Sequence, residues 1–174
     1  ARMILQDQKD LETVAEEFLS EGFPTVKDAI SGAIDILVEA IAEDPQLRNL
    51  TYQEIRKHSL ITSSLKDESK DEKQVFQIYY DFSEKIANMQ GYRTLALNRG
   101  EKLGVLKVGF EHPVDRLIRH FEARFKSKNS YIEEVINQAL KKKMLPAMER
   151  RIRTELTEVA EDGAIQLFSE NLRH

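Results

Sequence analysis

Cysteine is absent from all 174 residues, which removes disulfides, thiolate nucleophiles and Cys-based zinc sites together. That absence fits a reducing, cytoplasmic setting, which is the expected localisation. Glycine and proline are scarce, at 7 and 4 residues, so helices can run long without interruption. No apolar run approaches the ~20 residues that a membrane span needs, and no signal-peptide pattern opens the chain. A membrane partner is therefore not expected.

Signatures of catalysis are missing too. Arg99-Gly100-Glu101-Lys102-Leu103-Gly104 has two glycines, but neither the strand–loop–helix order nor the Lys-Ser/Thr ending of a phosphate loop. His58, His112, His120 and His174 are scattered, and none forms an i, i+4 pair with another ligand type. Ser63-Ser64 has no neighbouring base to activate a nucleophile. Glu16-Glu17 and Glu133-Glu134 are adjacent pairs on exposed helix faces. The expectation is a non-enzymatic chain with no cofactor and no metal.

What is present is a soluble, globular balance, 41% hydrophobic and 32% charged. The length suits one domain or two small ones with a proper core. The chain opens at Ala1 and stops at Asn171-Leu172-Arg173-His174 in mid-helical rhythm, so a piece of a larger protein is expected. The net charge of −4 hides an asymmetry. Residues 1–90 hold 10 Lys/Arg against 18 Asp/Glu, whereas residues 91–174 hold 16 against 12. From Arg116 to Arg153 the count is 11 basic to 4 acidic, a field that would draw a polyanion. The plain alternative is that these charges solvate helix faces or pair within the protein.

Apolar spacing then outlines the elements. Leu11, Val14, Ala15, Phe18 and Leu19 suggest a helix over Asp10–Ser20, broken at Gly22-Phe23-Pro24. Thr25 reads as the cap of a strongly amphipathic helix carrying Val26, Ile30, Ala33, Leu37 and Ile41. Asp44-Pro45 starts another as N-cap and first-turn proline. Lys66 to Lys73 contains no apolar residue and reads as an exposed loop or a charged helix start. Phe76, Tyr79 and Tyr80 suit one face of a short helix, packed as core more readily than offered to nucleic-acid bases. Gly91–Arg99 reads as a helix closed by Gly100, and Val105–Phe110 as the best strand. Pro113 to about Phe125 and a segment capped by Ser130 follow as helices. Pro146 should kink or break the chain at Met144-Leu145 before a long last helix. The expected fold is all-α and multihelical, about seven to eight helices, with at most a short two-stranded pairing of Ile61–Leu65 with Val105–Phe110. One helical region over 1–174 is expected, with possible subregions 1–65, 74–111 and 112–174.

Lys141, Lys142 and Lys143 sweep ~300° around a helix and so do not form one flat patch; they also suit the negative end of a helix dipole. Together with Arg150, Arg151 and Arg153 they are candidates for phosphate contact, which needs cations but no sequence code. Arg99, Lys102, Lys107 and Arg119 complete the candidate set. No helix-turn-helix with an assignable recognition helix stands out.

Tyr79-Tyr80-Asp81-Phe82-Ser83-Glu84, followed by Tyr92-Arg93-Thr94-Leu95-Ala96-Leu97-Asn98-Arg99-Gly100-Glu101-Lys102-Leu103-Gly104-Val105-Leu106-Lys107-Val108, resembles the Tex family of bacterial transcription accessory proteins. Tyr92 stands where the family usually has His, and Ala87-Asn88-Met89-Gln90 lacks a frequent Pro. The Glu43-Asp44 region with Arg48, the Leu145-Pro146-x-x-Glu149 stretch and Glu161–Leu172 extend the likeness over nearly the whole chain. The resemblance implies the helical N-terminal region of a multidomain protein, ending before an RNase-H-like domain, with the main RNA-binding barrel lying elsewhere. With the missing catalytic motifs, the expected role is a non-catalytic scaffold in a protein that binds RNA or DNA as a whole, the lysines and arginines from Arg116 to Arg153 giving auxiliary phosphate contacts at most. The alternative is a protein-interaction module that docks RNA polymerase, other transcription machinery or other domains of the same chain through the acidic face around Asp35 and Glu39.

Overall fold

A computed structural model describes residues 26–125 and 129–173. The helix expected over Asp10–Ser20 and its successor's cap at Thr25 lie outside them. The described residues fall into two compact units, those within 1–52 and 114–147 and those within 53–113 and 148–174.

The first unit is helical. Helix α1, Val26–Glu43, buries Ala29, Leu37, Val38, Ile41 and Ala42, close to the expected stripe. The Asp44 carboxylate accepts the Leu47 N–H at 2.8 Å, and Pro45 opens α2, Pro45–His58, where a missing N–H costs nothing. Helix α4, Val114–Glu122, contributes Leu117 and Phe121, both fully buried. Helix α5, Ser130–Gln138, adds Ile132, Val135 and Ile136. Its cap is Asn129, whose side chain accepts the Ile132 N–H, so the expected cap at Ser130 is displaced by one residue.

No break occurs ahead of Pro146. Ala139–Met144 forms one wide π turn, in which the Leu145 N–H reaches back to the Leu140 carbonyl, and α6, Leu145–Leu172, continues directly. Proline lacks the N–H of an ordinary helical turn and its ring would press on the carbonyl four residues back; the widened turn relieves both. Lys141–Lys143 therefore sit inside a continuing helix and cap no negative helix end.

The second unit corrects the expected all-α class. β1 (Leu60–Leu65) lies between β2 (Asp81–Lys85) and β3 (Leu106–Glu111) in a three-stranded antiparallel sheet. Ser63 faces Phe82 on one side and Val108 on the other. The β1–β3 pairing is the one anticipated; β2 was not. Its residues, Asp-Phe-Ser-Glu-Lys, suit a charged sheet edge rather than a buried strand, so they carry almost no apolar signal. Among the described residues there are six α-helical segments. The last two join through the π turn, leaving five separate helices instead of seven to eight. Phe76 and Tyr79 are buried, as the core reading expects, but on a 3-10 turn leading into β2, and Tyr79 meets Phe82 edge to face at 5.3 Å.

Helix α3, Gly91–Lys102, does not stop at Gly100. It closes two residues past its last turn, where Gly104 takes φ +75°. The Gly104 N–H bonds the Glu101 carbonyl and the Val105 N–H bonds the Gly100 carbonyl, both at 3.0 Å, which is the Schellman closure. Gly100 serves packing instead. A Cβ there would lie 2.5 Å from Leu106 Cδ1 and 3.2 Å from Phe76 Cδ1.

Candidate nucleic-acid interface

The ten candidate cations divide by unit and by what already holds them. In the first unit Arg119, Lys141 and Lys142 are exposed, but Lys143 is bound to Glu39 at 2.7 Å. That bond, with Asp35 and Glu43 nearby, raises the Lys143 pKa above its usual value. It also occupies a central carboxylate of the acidic face expected to dock a partner.

In the second unit Arg153 is committed. It spans Glu101 Oε1 at 2.8 Å and Asn98 Oδ1 at 2.8 Å, while Asn98 donates its amide to Thr157 at 2.8 Å. Arg151 pairs with Glu155 at 2.8 Å, one turn along α6. An open groove of about 720 Å³ adjoins Arg153, lined by Asn98, Glu101, Glu149, Arg150, Arg153 and Glu158 among others. Three carboxylates against two guanidiniums make it a poor phosphate site.

Arg99 is differently placed. Its guanidinium lies 5.9 Å over the Phe76 ring, on the exposed side of α3, and no carboxylate among the described residues is bound to it. It shares a cavity of about 300 Å³ with Lys70, Lys73, Glu72 and Leu103. Lys102 lies three residues on, hence on the same side of the helix. Lys107 does not join them. Leu106 turns into the α3 contact, so the next residue along the strand points to the opposite face of the sheet.

The loop that supplies Lys70 and Lys73 is organised by two aspartates. Asp67 accepts from the backbone and hydroxyl of Ser69 and lies 3.7 Å from Lys70. Asp71 turns inward, accepting the Val75 and Phe76 N–H groups at 2.9 Å each and the Tyr80 hydroxyl at 2.8 Å. Burial pushes its pKa up, but those three donors outweigh burial and hold it below the usual carboxylate value. Its charge is thereby spent inside the loop. Lys70 and Lys73 were missed as candidates because the apolar-free run reads only as solvated loop; their closeness to Arg99 has no sequence-local signal.

A second constellation joins residues that are far apart in sequence. Ser59 Oγ lies 2.7 Å from His112 Nδ1, and His112 Nε2 lies 2.7 Å from Glu149 Oε1. The carboxylate can only accept, so Nε2–H donates, and in the neutral ring Nδ1 accepts the serine proton. The order resembles a hydrolytic triad, yet Ser59 is 0% exposed and no substrate carbonyl can reach it. The trio ties the ends of β1 and β3 to α6. Among the described residues no three His, Asp or Glu side chains gather as a metal ion would require.

A family profile described as Tex central region-like matches residues 6–168. The chain belongs to the Tex family. The Bacillus subtilis (strain 168) protein YdcI is 38% identical over 98% of this Tex-family chain, and the transcriptional accessory protein Tex of Neisseria gonorrhoeae is 26% identical over 98%. The human S1 RNA-binding domain-containing protein 1 is 34% identical over 88%. The chain spans about a quarter of the length of the first two, 25% and 24%, and 17% of the third. Within the run that signalled Tex, the three residues of Arg99-Gly100-Glu101 do different things. Arg99 covers Phe76, Gly100 admits Leu106, and Glu101 holds Arg153.

Proposed function

We propose that this Tex-family chain is a cytoplasmic, non-catalytic scaffold region of a transcription accessory protein, and that it adds phosphate contacts to nucleic acid bound by the whole protein. The observation that carries this reading is the gathering of Lys70, Lys73 and Arg99 around one cavity, with the Arg99 guanidinium free of any carboxylate among the described residues. Further support comes from the names of relatives, which include a transcriptional accessory protein and an S1 RNA-binding domain-containing protein. Phe76 is only 5% exposed and so offers no ring for a base to stack on; backbone contact without sequence preference follows.

The test is a salt titration of binding to duplex DNA and to RNA, followed by fluorescence anisotropy. Reversing Lys70, Lys73 and Arg99 to Glu should weaken binding and flatten the log K against log[salt] slope by about 2 to 3 on duplex DNA. An unchanged slope refutes contact at this corner. A second reading, docking of RNA polymerase by α1, draws on Ile36, 60% exposed between Asp35 and Glu39. Recovery of polymerase that survives Ile36→Asp counts against it.

A further inference from the structure

From Val159 onward, α6 presents apolar side chains that no described residue covers. Val159, Ile165, Leu167, Phe168 and Leu172 are each 60% exposed or more, unlike the buried Ile152 earlier on the same helix. At ~100° per residue Ile165, Phe168 and Leu172 fall on one side, and Val159, Gly163 and Leu167 on the nearly opposite one, roughly 170° away. A helix apolar on two sides is built to be packed against.

The second of these sides forms one wall of a cleft. α3 and α6 touch where a Cβ on Gly91 would lie 3.3 Å from Ala160 Cα. They leave open space further on, since a Cβ on Gly163 meets nothing within 4 Å. The cleft is about 440 Å³ and almost wholly apolar, walled by Tyr92, Leu95, Val159, Gly163, Ala164 and Leu167. Tyr92 at its rim is 64% exposed.

Charge identifies the occupant. Between Thr154 and Leu172 the helix carries Glu155, Glu158, Glu161, Asp162 and Glu170, and no Lys or Arg. A second copy paired through the same face would set acidic residues against acidic residues. We propose that this cleft docks a basic amphipathic helix from a partner protein, its apolar residues entering between Tyr92 and Leu167 and its Lys/Arg residues meeting Asp162 and Glu170.

The probes are a synthetic leucine–lysine amphipathic peptide and its twin with every lysine replaced by glutamate, each titrated into the whole 174-residue chain by calorimetry. The lysine peptide should bind and its twin should bind at least about tenfold more weakly. Gly163→Leu fills the cleft without burdening the fold, because glycine is the weaker helix former. It should raise the melting temperature while weakening the lysine peptide about tenfold, and the double reversal Asp162→Lys with Glu170→Lys should weaken it similarly. Equal binding of the two peptides overturns the proposal, as does full affinity in the glycine variant. Sedimentation showing a dimer that Gly163→Leu dissolves overturns it in favour of self-association.

Discussion

Replacing Gly100 with alanine sets two effects of known size against each other. In a helix interior the substitution gains about 1 kcal/mol from propensity alone. Here the new methyl would stand 2.5 Å from Leu106 Cδ1 and 2.8 Å from its Cγ, distances that real Cβ atoms do not show. Leu106 is 1% exposed and Phe76, behind it, 5%, so neither can swing aside into solvent. Overpacking of this kind costs about 1–3 kcal/mol through the side-chain and backbone shifts it forces. Set against the propensity gain, Gly100→Ala should therefore destabilise the chain by up to about 2 kcal/mol, seen as a lower urea midpoint by circular dichroism and a melting temperature lower by ~2–4 °C per kcal/mol. Gly163→Ala is the internal control: mid-helix, with open space around it, it should stabilise by about 0.5–1 kcal/mol. The deciding measurement is Gly100→Ala in a Leu106→Ala background. With the leucine removed the penalty should vanish and the alanine become neutral or favourable. If the penalty persists at full size, Gly100 matters for its backbone and the packing argument is wrong.

Two further predictions concern hydrogen bonds. Ser59→Ala leaves His112 Nδ1 without its donor at the buried end of the trio and should cost about 1–3 kcal/mol by urea unfolding; an unaltered midpoint would show the trio to be incidental. Tyr80 and Asp71 give stability a dependence on pH at both ends. Burial, and then the bond to Asp71, push the Tyr80 hydroxyl up to about 12. A raised value contributes fully below the unfolded value of 10.0 and is lost as pH climbs towards 12. Asp71 runs the other way: its lowered value contributes above the ordinary 3.8 and is lost as acid protonates it. Tyr80→Phe should flatten the alkaline loss and shrink the acid one, read from urea midpoints across pH; profiles parallel to the parent's would refute the coupling.

Local chemistry was readable from the chain, and non-local partnership was not. Asp44-Pro45 announces its helix because cap and proline act within three residues, and the α1 stripe because burial repeats with the helix turn. The β1–β3 pair stood out as two apolar, β-rich runs. β2 stayed hidden because an edge strand needs only Phe82 inside, and Asp81, Glu84 and Lys85 are what edges carry. Gly100 and Gly104 look interchangeable as helix stops until Leu106 is placed beside one of them. The cations show the same divide most clearly. A count from Arg116 to Arg153 treats all eleven alike, yet Lys143 and Arg153 are neutralised by Glu39 and Glu101, partners far away in sequence. Arg99, outside that dense stretch, lies over a phenyl ring and meets no carboxylate among the described residues. A positive run in sequence therefore overstates what a polyanion meets. Of the three residues in the Arg-Gly-Glu signature, two are consumed in joining α3 to β3 and to α6, and the arginine is bound to no carboxylate among the described residues.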